Sequence, residues 1–88
     1  MELLKDFGDT VRHFRAKLKV SQERLGEICG FHRTYIGQIE RGERNPSLKS
    51  IKVFADTFGV SISELFRICE QLKQLKSRKT KGAKLGEN

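Results

Sequence analysis

At 88 residues the chain is one domain at most, and a domain this small buries only about 60% of the surface its unfolded chain exposes. Its formal charge of +7 points to a polyanionic partner. No apolar run approaches the ~18 residues of a membrane span and the N-terminus lacks signal-peptide regions, so a cytoplasmic protein with no membrane partner is expected.

The first segment places Phe7, Val11, Phe14 and Leu18 at the spacing of an amphipathic helix, extended at its start by Leu3 and Leu4 and ending near Lys19. Ser21 is an N-cap for a second helix, with Glu23 in its first turn and Leu25, Ile28 and Cys29 on its apolar side. Gly30 stops that helix, because glycine takes the left-handed closing conformation without strain. A third runs from about Arg33 to Arg41 with Ile36 and Ile39 inward, closed by Gly42. Pro46 bars a helix interior and Ser47 caps a fourth, whose buried face is Leu48, Ile51, Phe54, Ala55 and Phe58, ended by Gly59.

The fifth helix opens on Ser61-Ile62-Ser63-Glu64, the pattern of a capping box. Its apolar residues (Ile62, Leu65, Phe66, Ile68, Cys69, Leu72, Leu75) are too widely spread for one stripe. A helix apolar on two faces buries both, one in its own core and one against a second subunit. Ile62, Phe66, Ile68, Cys69 and Leu72 are therefore the expected dimer interface, with a wide stripe inside a small core as the alternative. Residues 1–75 carry thirteen Lys/Arg against ten Asp/Glu, whereas 76–88 carry five against Glu87 alone. That segment is expected to be a basic tail without regular structure, either solubilising or attracting phosphates in a salt-dependent way. Cys29 and Cys69, forty positions apart with no histidine at ligand spacing, read as reduced thiols, so no metal or cofactor is called for. No strand signal of any length is present, and the architecture is all-α with five helices.

Two short helices joined by a tight glycine-containing turn form a helix-turn-helix. Each residue type has a steric reason: Gln22 opens the second helix, Leu25 faces the core and Gly26 lets the third helix approach closely. Cys29 is small, Gly30 turns the chain, and Phe31 plugs the junction. With these residues in view, the chain resembles the lambda-repressor-like regulators (the XRE, or Cro/CI, family) over roughly residues 7–66. The resemblance is carried by Ser21-Gln22-Glu23-Arg24-Leu25-Gly26, Arg33-Thr34-Tyr35-Ile36, and Ile39 through Leu48, with Phe58-Gly59-Val60-Ser61 and Glu64-Leu65-Phe66 beyond. Within that family, Arg33-Thr34-Tyr35-Ile36 and Arg44-Asn45 are most similar to controller proteins of restriction–modification systems. Gly26 departs from the more usual alanine, and the basic tail departs from a minimal controller.

Residues at the start of a recognition helix reach base edges in the major groove, which singles out Arg33, Thr34, Tyr35 and, a turn later, Gln38. Arg33 can fork onto guanine, Thr34 and Tyr35 can meet a thymine methyl, and Gln38 can pair with adenine. Ser21, Gln22, His32, Arg44, Asn45, Ser47 and Lys49 fall at helix starts and the adjoining loop, where free N–H groups and the helix dipole attract phosphates. His32 has the position of an N-cap. The resemblance implies a structural ion pair between Glu40 and Arg15, and it offers two readings of the acidic Glu23 and Glu27, a contact for RNA polymerase as in some relatives or a simply solvated face. It also implies a homodimer on a near-palindromic double-stranded operator, with two dimers on adjacent sites as an extension. A phage-type repressor, an antitoxin and a protein-interaction module remain the alternatives. An enzyme is disfavoured, since no paired-carboxylate, Cys–His or phosphate-loop arrangement occurs.

Overall fold

The computed structural model describes the backbone of residues 2–85 and the side chains of residues 2–77. Five helices follow in order: α1 (Glu2–Leu18), α2 (Gln22–Cys29), α3 (Arg33–Glu40), α4 (Leu48–Phe58) and α5 (Ile62–Leu85). Serines set three of the starts. The Oγ of Ser21 accepts the N–H of Arg24, that of Ser47 accepts Ser50, and that of Ser61 accepts Glu64, each at 3.0 Å. At α5 the carboxylate of Glu64 turns to Arg67 instead of returning to Ser61, so the expected capping box is half made. α2 closes at Gly30, whose φ is +81°.

The core gathers Phe7, Val11 and Phe14 of α1, Leu25 of α2, Ile36 and Ile39 of α3, Phe54 and Ala55 of α4, and Leu65 of α5. Phe54 is its centre, edge-on to Phe7 at 6.0 Å and within 5.4 Å of Phe31. Phe14 and Phe58 stack at 4.6 Å. α1 lies across α3 and α5, and α2 packs on α3 and α4. Thr10, outside the apolar stripe read from the sequence, is fully buried and donates to the carbonyl of Asp6 at 2.8 Å.

Several expectations need correction. Leu48 is 75% exposed and Ile28 47%. At about 100° per residue, Leu48 lies some 70° from the centre of the Ile51–Phe54–Ala55–Phe58 face, and Ile28 about 100° from that of α2. Cys29 is half-buried, bonded to the hydroxyl of Thr57 at 3.4 Å. Cys69, assigned to a subunit interface, is 2% exposed and sits one turn after Leu65 on the face that α5 turns to its own core. Ile62, Phe66, Ile68 and Leu72 are half-buried, with Phe66 lying over Phe7 at 5.7 Å.

α5 also runs past Leu75, the expected end of ordered structure, to Leu85. Lys73 reaches Glu2 at 3.6 Å and Asp6 at 3.9 Å, and Lys76 pairs with Asp9, so acids of α1 offset these two cations. The side chains of the tail cations Arg78, Lys79, Lys81 and Lys84 lie outside the described residues.

Candidate nucleic-acid interface

α3 is fixed at both ends, and the fixing determines which of its side chains point outward. At its start His32 has an extended backbone, and its Nδ1 accepts the N–H of Thr34 at 3.0 Å. At its end Glu40 is buried, 2% exposed, beneath α1. Arg15 grips it through two bonds, Nε to Oε2 at 2.6 Å and Nη2 to Oε1 at 3.0 Å. Gln22 donates its Nε2 to Oε1 at 3.0 Å, and Arg12 donates its Nη2 to the Glu40 carbonyl at 3.2 Å. Burial by itself raises the Glu40 carboxyl, but the bonds from Arg15 and Gln22 and the charges of Arg15 and Arg12 outweigh it, holding the group below the ordinary carboxylate range. One buried carboxylate thus ties α1, α2 and α3 together at the end of the helix least hospitable to a negative charge.

Between those ends the outer face of α3 carries Arg33 and Thr34, both exposed, then the half-buried Gln38. Gly26 makes the close approach possible. A Cβ there would lie 2.4 Å from the Phe31 carbonyl oxygen, so in this chain the turn closes more tightly than alanine permits. Tyr35 does not stand out into solvent: its ring packs edge-on to Phe31 at 5.0 Å, and its hydroxyl donates to Ser50 at 3.0 Å. Ser47 donates to the same Ser50 oxygen at 3.1 Å, so Tyr35 is braced against the first turn of α4.

A groove of about 460 Å³ separates the starts of α3 and α4, lined by Phe31, His32, Tyr35, Arg44, Asn45 and Ser47 among others. The guanidinium of Arg44 lies over the Tyr35 ring at 5.4 Å and donates to the Gln38 Oε1 at 3.4 Å. Asn45 is exposed on the α4 side of this groove, whereas Lys49, also exposed, does not line it. The structure therefore brings His32, Tyr35, Gln38, Arg44, Asn45 and Ser47 to one surface. Gln22 is instead turned inward to Glu40, leaving its carbonyl oxygen beside Gly37. Glu23 lies 3.7 Å from Arg33 and Glu27 3.1 Å from Arg24, so each acid of α2 is matched to an arginine. Such a surface, a braced helix with cations and hydrogen-bonding side chains around its start, has the chemistry that duplex DNA requires. Among the described residues no three His, Cys, Asp or Glu side chains are placed to hold a metal, and no helix is long and apolar enough to cross a membrane.

A helix-turn-helix family model matches residues 11–65 of this sequence. The chain belongs to the helix-turn-helix family. Among its helix-turn-helix relatives is the control protein C.BamHI of Bacillus amyloliquefaciens, 44% identical over 73 residues, covering 76% of this chain and 90% of the relative. Among solved structures, the restriction–modification controller protein C.AhdI of Aeromonas hydrophila is 37% identical with a TM-score of 0.69, covering 74% of this chain and 98% of that one. The restriction–modification controller protein C.Esp1396I, solved as a tetramer in complex with its natural 35 base-pair operator, is 28% identical with a TM-score of 0.73 over 81% of this chain and 93% of that one. Close homologues of this helix-turn-helix protein are thus restriction–modification controller proteins, which are DNA-binding transcription regulators.

Three residues of the helix-turn-helix surface were not singled out from the sequence. Ser50 joins Tyr35 to the cap of α4, and its only sequence signal is its place three residues after Ser47. Arg41 caps the end of α3 beside Gly37 and pairs with Glu43 at 2.9 Å, and its place directly after Glu40 is the sequence signal that could have marked it. Arg12 approaches the Glu40 carboxylate at 3.6 Å, one helical turn before Arg15.

Proposed function

We propose that this helix-turn-helix protein is the controller of a restriction–modification system: a sequence-specific regulator that binds its own promoter region as a homodimer. The observation that carries this reading is the outward face of α3, with Arg33 and Thr34 exposed on a helix whose C-terminal end is tied to α1 through the buried Glu40. A helix held that rigidly can enter a major groove with its first residues toward the bases. Arg33 then forks onto guanine, and Thr34 meets a base edge or a thymine methyl. Tyr35 and Gln38, half-buried and engaged with Ser50 and Arg44, are secondary base contacts that first exchange those partners. His32, Arg44, Asn45, Ser47 and Lys49, with Ser21 and Gln22 at the start of α2, set register on the phosphates. Residues 1–75 are the folded binding unit, and the half-buried residues that border the core-facing side of α5 (Ile62, Phe66, Ile68, Leu72) take the second subunit. The protein acts in the cytoplasm, by binding and not by catalysis. The C.Esp1396I tetramer on its operator supports two dimers on adjacent sites here too.

The test is a titration of a duplex from upstream of the chain's own gene against a scrambled duplex, at two salt concentrations, for the wild type and Arg33→Ala. Selective binding that Arg33→Ala weakens by ~1–3 kcal/mol supports the reading. Equal and steeply salt-dependent binding to both duplexes would show attraction to phosphates alone and overturn it.

A further inference from the structure

Arg33 stands at an awkward place for a cation. It is the first residue of α3, where the helix dipole is positive, and the first turn of α3 contains no acid to offset it. The counter-charge comes from the neighbouring helix. Oε2 of Glu23 lies 3.7 Å from Nη1 of Arg33 across a groove of about 380 Å³ that Glu27, Phe31 and His32 also line. Glu27, the other acid of that groove, is taken up by Arg24, and Glu23 is left to Arg33. A carboxylate at the edge of a surface that meets phosphates repels them, so in a chain of formal charge +7 its placement beside the reading arginine calls for a reason.

We propose that Glu23 sets the base selectivity of Arg33, its charge drawing one nitrogen of the exposed guanidinium toward α2 and leaving the opposite edge to fork onto guanine. This inference rests on α3 being the recognition helix. With Nη1 held beside α2, the free Nε–Nη2 edge is the same edge with which Arg15 forks onto Glu40 in this protein. That edge matches the O6 and N7 acceptors of guanine. Left alone, an exposed arginine side chain has many rotamers and finds a phosphate as readily as a base. Glu23 removes part of that choice, because its charge discourages the phosphate and its position narrows the rotamers. Glu23 is a positioning residue, and its effect is read in selectivity more than in affinity.

The experiment begins with duplexes selected from a random library by the wild-type protein. Binding is then measured to the selected duplex and to versions with each guanine replaced, for the wild type, Glu23→Gln, Glu27→Gln, Arg33→Ala and the Glu23→Gln/Arg33→Ala pair. Glu23→Gln is expected to lower discrimination at the guanine read by Arg33 about 2- to 5-fold, the size of an exposed ion pair. The effect should vanish in the Arg33→Ala background. Glu27→Gln removes the same charge from the same groove and should leave that discrimination unchanged. If both glutamine variants instead tighten binding to every duplex alike, Glu23 is only a repelling charge and the inference is overturned. Should Arg33→Ala itself leave discrimination intact at every guanine, the assignment of α3 fails first and this inference with it.

Discussion

Glu40 shows how one side chain can be costly and indispensable together. Its carboxylate is almost wholly out of water and has three donors from two other helices. Removing a partner from such a site costs about 3–5 kcal/mol, since the charge stays buried without its match. Arg15→Ala should fall near the lower end, about 3 kcal/mol, because Arg12 and Gln22 remain beside Glu40; urea unfolding at neutral pH checks it. The same site ties stability to pH. The folded-state value of Glu40 is depressed, so its contribution is fully present above the unfolded value of about 4.3 and is lost as pH falls through the lower folded value. Wild-type stability should therefore decline below about pH 4 more steeply than that of Glu40→Gln, which has no carboxylate to protonate. Parallel acid limbs for the two proteins would show that other groups govern the decline.

At the level of helices, what the sequence made legible was local. Ser21, Ser47 and Ser61 cap the helices they precede, and Gly30 closes α2, because each acts on backbone groups within four residues. The outward placement of Arg33 and Thr34 followed from their position at the start of the second helix of the helix-turn-helix. What stayed hidden depended on partners distant in the chain. The burial of Cys69 is decided by α1, the bracing of Tyr35 by Ser50, and the pairing of Lys73 and Lys76 by acids at Glu2, Asp6 and Asp9. Gly8 belongs with these: a Cβ there would lie 2.4 Å from the Ile39 carbonyl oxygen and 2.6 Å from that of Glu40. Both are backbone atoms, so α1 and α3 would have to separate, and the Arg15 fork would loosen. Gly8→Ala gains about 1 kcal/mol of helix propensity, yet it should still destabilise the fold by about 1–3 kcal/mol through overpacking. A thermal melt with a raised midpoint would contradict that. Ser47→Ala tests the other kind of feature: loss of the α4 cap should cost about 1 kcal/mol and Ser47→Gly only a few tenths.

At the scale of the whole molecule, the described residues form a core of modest size and leave an apolar cleft partly open. Between α1 and the later turns of α5, a cleft of about 640 Å³ is lined by His13, Ala16, Leu72 and Leu75, with Asp9, Arg12 and Lys76 also in its lining and Leu75 56% exposed. The neighbouring Leu65 and Cys69 are spent on the protomer's own interior. This division separates two kinds of substitution on one helix. Leu65→Glu puts a charge into a closed core and should prevent folding outright. Leu72→Glu acts at a half-buried position and should leave a helical protomer that sediments as a monomer, whereas the proposed homodimer predicts a wild type that sediments as a dimer. Because association stabilises only the folded state, the wild-type melting temperature should rise with protein concentration while that of Leu72→Glu stays constant. The variant should also lose apparent affinity for a two-half-site duplex more than for a single half-site, since tethering of the second reading helix is what it removes. If Leu72→Glu still dimerises, the second subunit docks elsewhere, and the exposed Leu48 of α4 becomes the next position to change.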